Sequence, residues 1–520
     1  MPFITNQSKV ICISTNDVTG GAPRACYRLF QGLKLTHNNC KLLVQYKNSN
    51  DEEVIIAPSL KLYPKDWFDR DIESLIFTRY IESNRSNLTN TYFSLSFPGN
   101  NIADLDLIKD AEIINLHWVE NFLSPLSIAQ LGKFNKPIVW TLHDQRPFTG
   151  GCHYTAGCER FIEGLCMNCP QIDNDKYNLP HAVLLDKLHL FEKLNLTIVT
   201  PSRWLAGEAK KSILFKNRPI EVIPYSIDTK LYKPQNKNTA KRSLDIDPAV
   251  TTILFGAVNS KEERKGFRYL LNAIEIAIMN PSIENMVYAK KINIICMGDP
   301  DTSISKFHIP IINTNYLESD EQIINVYNAS DIFILPSTED NLPLGIMEAM
   351  ACGVPVIGFA TGGIRELIQQ DTGILVENKN SLQLAEAIVK LVTDDEMRTG
   401  FGRNSRKLIE DKYKLTLQAE AYSNLFTKLK NENTEAKYSD RNNNALADVK
   451  KSFYKMNLTK LIWKLLLYSI IQKNQDKSIP KFQLYVGRLI MMIAPLFLSV
   501  IPAMTKKSVY IYLTTWLKRK

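Results

Sequence analysis

Short runs of apolar residues alternate along this chain with longer stretches whose apolar positions recur every three or four residues. In the first half, KVICIST (9–15), CKLLVQY (40–46), EIINLHW (112–118), KPIVWTLHD (136–144) and LTIVTPS (196–202) predict buried strands. PRACYRLFQGL (23–33) has helical spacing. In the second half, TTILFGAV (251–258), INIICMG (292–298), DIFILPS (331–337) and VPVIGF (354–359) are again strand-like. GFRYLLNAIEIAI, SDEQIINVYNAS and SLQLAEAIVKLV fall between or after them as helices. Strands and helices in alternation mean a parallel sheet with helices on both faces. The pattern runs twice, so the prediction is an α/β chain of two doubly wound, Rossmann-like domains, with ligands beyond the carboxyl ends of the strands.

A polar stretch carrying three prolines, VIPYSIDTKLYKPQNKNTAKRSLDIDP (222–248), separates the two patterns. The predicted organisation is a first domain at 1–225 with a Cys-rich loop at 150–170, a second domain at 226–430, a polar linker at 431–451 and a tail at 452–520. At 520 residues the chain is too long for one core. No internal repeat has a solenoid period.

Charge sharpens the view of the tail. The formal net charge is +9, but from Arg441 onward fifteen Lys/Arg face only Asp448 and Asp476, a net of +13 that leaves −4 for the rest. Apolar stretches lie between these lysines, and residues 489–505 are uncharged, with Pro495 and Pro502 inside them. That run is short of the ~20 residues a spanning helix needs. It predicts a basic helical extension that lies on an anionic membrane surface. A small helical subdomain packed on the body is the alternative. No nucleic-acid recognition motif is present, so that partner class is excluded. MPFITNQSKVICIST lacks a basic region before a long apolar run and reads as a first strand. The expected location is cytoplasmic, peripheral on the inner face of the membrane.

The densest chemistry lies in STEDNLPLGIMEAMACG (337–353). DIFILPS delivers the chain to the carboxyl edge of the second sheet, and IMEAMA starts a helix. The free amides at that start, near Leu344 and Gly345, suit a diphosphate. Glu348 can accept hydrogen bonds from two ribose hydroxyls, and Asp340 can hold those of a second sugar. An acidic N-cap on a solvated helix is the plainer reading.

PSTEDNLPLGIMEAMACGVPVIGFATGGIREL as a whole resembles the signature of family 4 glycosyltransferases, retaining enzymes of the two-domain GT-B fold, with Glu-x7-Glu followed by Ala-Met-Ala-x-Gly-x-Pro-Val. Asp340 stands in the first glutamate position and Glu348 in the second, and the usual Glu-Gly-Phe-Gly is replaced by Asp340-Asn341-Leu342-Pro343. NSKEERKGFRYLLNAI is similar to the family's Lys-Gly segment, which implies that Lys265 contacts the donor diphosphate. The family's arginine, five residues earlier, falls on Ser260, and Arg264 is the candidate substitute. VIPYSIDTKLYKP resembles the interdomain Pro-x-Gly-x-Asp hinge, with Ser226 for glycine.

In the first domain, NDVTGGAPRACYRLF places Gly20 and Gly21 before a helix, without the GxGxxG of a dinucleotide site. The resemblance implies that this loop faces the donor phosphate and sugar, with Arg24 beside it. His143 and Asp144 end one predicted strand and His117 ends another. The resemblance implies that His143 lines the reaction centre and orients substrate, with His117, Asp144 and Arg24 as acceptor-side candidates. Buried structural histidines are the alternative.

CHYTAGCERFIEGLCMNC spaces Cys152, Cys158, Cys166 and Cys169 as C-x5-C-x7-C-x2-C. The last pair suits a zinc knuckle and four thiolates complete a tetrahedron, so a structural zinc is expected, with His153 as a competing ligand. Free buried cysteines or a disulfide pair are the alternatives. Any such metal braces the loop beside His143, and catalysis does not need it.

The resemblance covers residues 9–430. It implies a retaining glycosyltransferase that moves a sugar from a UDP- or GDP-sugar to a hydroxyl of a glycan or lipid-linked acceptor in surface polysaccharide biosynthesis. It needs no catalytic cofactor, and His143, Lys265 and Asp340 lie at the reaction centre. A non-catalytic GT-B scaffold binding nucleotide or glycan at the membrane, or a nucleotide-sugar epimerase, are the rival readings.

Overall fold

The computed structural model describes residues 8–36, 39–58, 80–95, 99–257, 262–298, 302–317 and 319–436. Ser260 and the predicted tail at 452–520 lie outside the described residues. The first sheet comprises β1 (Lys9–Asn16), β2 (Asn39–Tyr46), β3 (Val54–Ile56), β4 (Ile113–Leu116), β5 (Ile138–Thr141), β6 (Leu196–Thr200) and β7 (Ile220–Val222). The second comprises β8 (Thr251–Ala257), β9 (Ile292–Gly298), β10 (Ile311–Asn315), β11 (Ile332–Leu335), β12 (Val356–Phe359) and β13 (Gly373–Val376).

Every strand pair is parallel. The strand orders are β3-β2-β1-β4-β5-β6-β7 and β10-β9-β8-β11-β12-β13. In each sheet the order reverses beside its first strand, so a crevice opens between β1 and β4 in one and between β8 and β11 in the other. The four strands that the apolar runs did not predict, β3, β7, β10 and β13, all lie at or next to sheet edges. β7 and β10 are mostly exposed or half-buried, so neither carries a continuous apolar run.

Helix Gly21–Leu35 buries Ala25, Cys26, Leu29, Phe30 and Leu33, the stripe its spacing predicts. This stripe packs on β1 and β2 together with Ala419, Tyr422, Leu425 and Phe426 of helix Leu415–Ala436. The chain thus crosses back after the second sheet, and the range 226–430 runs on into a helix that completes the first domain. Residues 431–436, expected to open a linker, are the last turns of that helix.

The outgoing and returning segments lie side by side where they cross. Ile227 N–H donates to Tyr413 O at 2.8 Å. The buried Ser226 donates its hydroxyl to Gln418 Oε1 at 2.6 Å. Among the described residues no helix is long and apolar enough to cross a membrane.

Candidate active site between the two sheets

The carboxyl edges of both sheets line one cleft of about 570 Å³. On its second-domain side, β11 ends at Leu335 and the loop to helix Leu344–Ala351 carries Asp340. Two cations converge on this carboxylate, Lys265 Nζ at 2.9 Å and an Arg264 terminal nitrogen at 3.1 Å, both to Oδ2. Oδ1 accepts from the Asn341 amide at 3.0 Å and from the Tyr154 hydroxyl at 3.3 Å. Burial alone would raise the Asp340 carboxyl, but Lys265 and Arg264 hold it well below the carboxylate range. Burial likewise opposes the charge on Arg264, and Asp340 more than restores it. Tyr154 also lies under the Arg264 guanidinium, 4.2 Å from ring centroid to Cζ.

Backbone makes this convergence possible. Lys265 ends the turn Glu263–Lys265, and Gly266 follows it at φ +70°. A Cβ there would stand 1.8 Å from the carbonyl oxygen of Pro336, so only glycine lets the cationic turn rest on the exit of β11. The pair Gly362-Gly363 lies in the same way on the carbonyls of Asp340 and Asn341.

Glu348 lies one turn inside helix Leu344–Ala351. Its Oε1 accepts from Arg28 at 2.6 Å and its Oε2 from the Tyr327 hydroxyl at 3.2 Å. Arg28 comes from the first domain and stacks over the ring of Tyr232 at 5.1 Å. Its second terminal nitrogen is buried without a partner. Tyr232 donates to Asp320 Oδ1 at 2.8 Å, and Arg24 pairs with the same carboxylate. Arg24, expected on the acceptor side, therefore reaches across to the second domain. Leu344, Gly345, Gly20 and Gly21 line the cleft.

Across the cleft, four buried groups form a chain whose protons can be assigned. Asn115 Nδ2 donates to Val139 O and Thr141 Oγ1, both at 3.0 Å, which leaves Oδ1 to accept from His117 Nε2 at 2.9 Å. His117 Nδ1 then accepts from His143 Nε2 at 3.1 Å, and His143 Nδ1 accepts from the Tyr225 hydroxyl at 2.7 Å. This assignment takes both rings as neutral, the state that burial favours, with one donor and one acceptor each. Burial pushes His143 down to about 4 and His117 well below its ordinary value. Both ring nitrogens of His143 are thus engaged inside the protein, which suits an orienting role rather than that of a strong base. Its carbonyl accepts from Asn341 Nδ2 at 3.1 Å, tying the histidine loop to the second domain.

Asp144 also lines the cleft, and its carboxylate takes His153 Nδ1 at 2.7 Å and the Trp118 indole N–H at 3.2 Å. Burial would raise it, but His153 and the Arg146 amide hold it below its ordinary value. His153 Nε2 pairs with Ser94 at 2.9 Å. Both nitrogens of that histidine are therefore committed away from the cysteines. Cys152, Cys158, Cys166 and Cys169 are free thiols. Among the described residues no group of three or more His, Cys, Asp or Glu side chains is set to hold a metal ion.

Sequence reasoning missed Arg28, Tyr154, Tyr225, Asp320 and Tyr327. A signal existed for Arg28 alone: it follows Arg24 by four residues, on the same face of a helix. The tyrosines reach the site from a loop, a hinge and a neighbouring helix, and no local spacing marks them.

Two doubly wound parallel sheets facing one cleft define a GT-B architecture. Solved structures agree: sucrose-phosphate synthase from Thermosynechococcus elongatus aligns with TM-score 0.55 at 17% identity, over 81% of this chain and 99% of that one. HepE of Anabaena, solved in complex with UDP-glucose, aligns with TM-score 0.54 at 14% identity, over 81% and 100%. Within this architecture, residues 250–394, which hold the second sheet, match the family Glycosyl transferases group 1. The chain is 26% identical over 283 residues to WcaC of Escherichia coli (strain K12), whose name assigns it provisionally to colanic acid biosynthesis as a glycosyl transferase. That match covers 53% of this chain and 65% of the relative. It is also 26% identical over 224 residues to the D-inositol 3-phosphate glycosyltransferase of Corynebacterium jeikeium (strain K411), covering 40% and 52%. The chain thus spans under two thirds of the curated relatives it matches.

Proposed function

We propose that this chain is a retaining glycosyltransferase that moves a sugar from a nucleoside-diphosphate donor to a hydroxyl of a glycan or lipid-linked acceptor. One observation carries the reading: Lys265 and Arg264 converge beside the start of helix Leu344–Ala351, with Glu348 inside that helix and His143 across the cleft. The helix amides and the two cations suit a diphosphate that gains charge as it leaves. Glu348 takes the ribose and Asp340 the donor sugar. The acceptor enters beside His143 and attacks from the face the diphosphate leaves. The anomeric carbon–phosphate oxygen bond breaks, a bond from that carbon to the acceptor oxygen forms, and the acceptor proton passes to a donor phosphate oxygen. The names of the relatives support sugar transfer in surface polysaccharide synthesis, and the HepE complex makes UDP-sugars the first donors to try. The basic tail is proposed to hold the enzyme on anionic membrane, and deletion of 440–520 should release it to the soluble fraction.

The test is a thermal-shift series on the full chain with UDP-, GDP- and ADP-sugars, followed by nucleoside-diphosphate release with oligosaccharide acceptors. One donor class should raise the melting temperature, and Glu348→Ala should abolish that rise. No shift with any of the three classes would overturn the reading.

A further inference from the structure

Four cysteines stand outside the chemistry of the cleft, on the loop between β5 and helix Leu179–Phe191. Cys152, Cys158, Cys166 and Cys169 all line one cavity of about 10 Å³. That is room for a single atom-sized guest. The rest of the lining supplies no carboxylate.

Burial raises the thiols of Cys152, Cys166 and Cys169, yet backbone amides already face two of these sulfurs. The Gly150 N–H donates to Cys166 Sγ at 3.2 Å, and the Gln171 amide faces Cys169. Amide donors to sulfur form the outer shell that tunes and orients metal thiolates. Arg85 lies near Cys152 and Cys169, with one terminal nitrogen buried and unpartnered. Lys187, 1% exposed, lies near Cys152 and Cys166 and donates only to the carbonyls of Arg146 and Thr149, each at 2.8 Å. A divalent ion bound by four thiolates carries a net charge of about −2, opposite in sign to a protonated Arg85 or Lys187.

The loop backbone also fits a crosslinked centre. Ala156, Leu165 and Cys166 all hold φ near +50°. Each costs on the order of 1 kcal/mol, and such strain persists only where the surroundings over-determine it.

We propose that Cys152, Cys158, Cys166 and Cys169 bind one zinc ion as four thiolates. Binding forms four zinc–sulfur bonds and releases four thiol protons to solvent. The side chains are not yet at ligating distance, so the sulfurs contract onto the ion, with the half-buried Cys158 and Cys169 moving most. The centre braces the loop that carries His153 to Asp144 and Tyr154 to Asp340. It is a structural site: all four ligand positions come from protein, so no water is held for chemistry.

The experiment is elemental analysis of the full chain, expressed in zinc-supplemented medium and purified without a histidine tag. The expected result is about one zinc per chain, and cobalt exchange should give the absorption bands of a tetrahedral thiolate centre. Cys158→Ser and Cys169→Ser, at the more exposed positions, should each lower the zinc content severalfold while circular dichroism stays that of a folded chain. Zinc far below one per chain, iron in its place, a disulfide among these four cysteines, or zinc retained in both variants would overturn the proposal.

Discussion

Arg28 of the first domain and Glu348 of the second meet across the cleft, nitrogen to Oε1 at 2.6 Å, with side chains only 10% and 7% exposed. The residue proposed to hold the ribose is therefore already held by the opposite domain. A nucleotide entering the cleft must share this carboxylate or displace the arginine, so donor binding and the contact between the domains are linked. Removing the guanidinium should strand a buried charge. Arg28→Met is expected to cost about 3–5 kcal/mol in urea unfolding, as breaking a buried pair does. Adding Glu348→Gln should recover part of that loss, and strict additivity of the two changes would show that the pair is not coupled.

Lys265 and Arg264 share one oxygen of Asp340, and this divides their roles. With Lys265→Met, Arg264 still pairs with Asp340, so the melting temperature should change little. Turnover, read as nucleoside-diphosphate release, should fall by roughly 10²–10³, the usual effect of losing one stabilising group on a leaving anion. A large loss of stability with unchanged turnover would reverse that division.

The histidine chain predicts a pH dependence of stability. The titratable groups facing His143 are His117, Tyr225 and Asp144. Burial holds His143 at about 4, whereas the unfolded chain binds that proton near the ordinary value of 6.5. Acid therefore favours the unfolded chain: the contribution is fully present above the unfolded value and is lost as pH falls toward 4. For His143 it amounts to roughly 3 kcal/mol. His117 acts in the same sense. Carboxylates such as Asp340, whose folded values are depressed, add a loss only below this window. Denaturant midpoints between pH 7 and 4.5 should fall, and His143→Gln should flatten the slope.

Gly266→Ala tests how the cationic turn is placed. The new methyl would collide with the Pro336 carbonyl at 1.8 Å in a left-handed backbone. The expected loss is at least 1–2 kcal/mol of stability. Turnover should fall as well, since Lys265 is the preceding residue. Gly400→Ala, in a helix away from the cleft, is the control, because a Cβ there meets nothing within 4 Å.

The central strands were legible because each is an unbroken apolar run buried on both faces, as in DIFILPS. The edge strands were not, since solvent on one side removes that signal. Glu348, Asp340 and Lys265 could be read because local sequence fixes them: a strand end, a turn and a helix start lie within a few residues of each other. Arg28 and Tyr154 depend on how the two sheets face one another. That relation arises from contacts between residues hundreds of positions apart, as between Arg28 and Glu348, and no window of the sequence holds both.

Helix Leu415–Ala436 lays Ala419, Tyr422 and Phe426 over the same apolar stripe as Leu29 and Phe30. A ribosome has made every strand of the first sheet by Val222, yet the helix that seals this flank emerges only after the whole second sheet. During synthesis the N-terminal half must wait with an oily flank uncovered, within reach of chaperones, until the chain returns to close it. The order of translation and the order of burial run opposite ways in this protein, so premature termination before residue 415 should yield an aggregation-prone fragment rather than a usable domain.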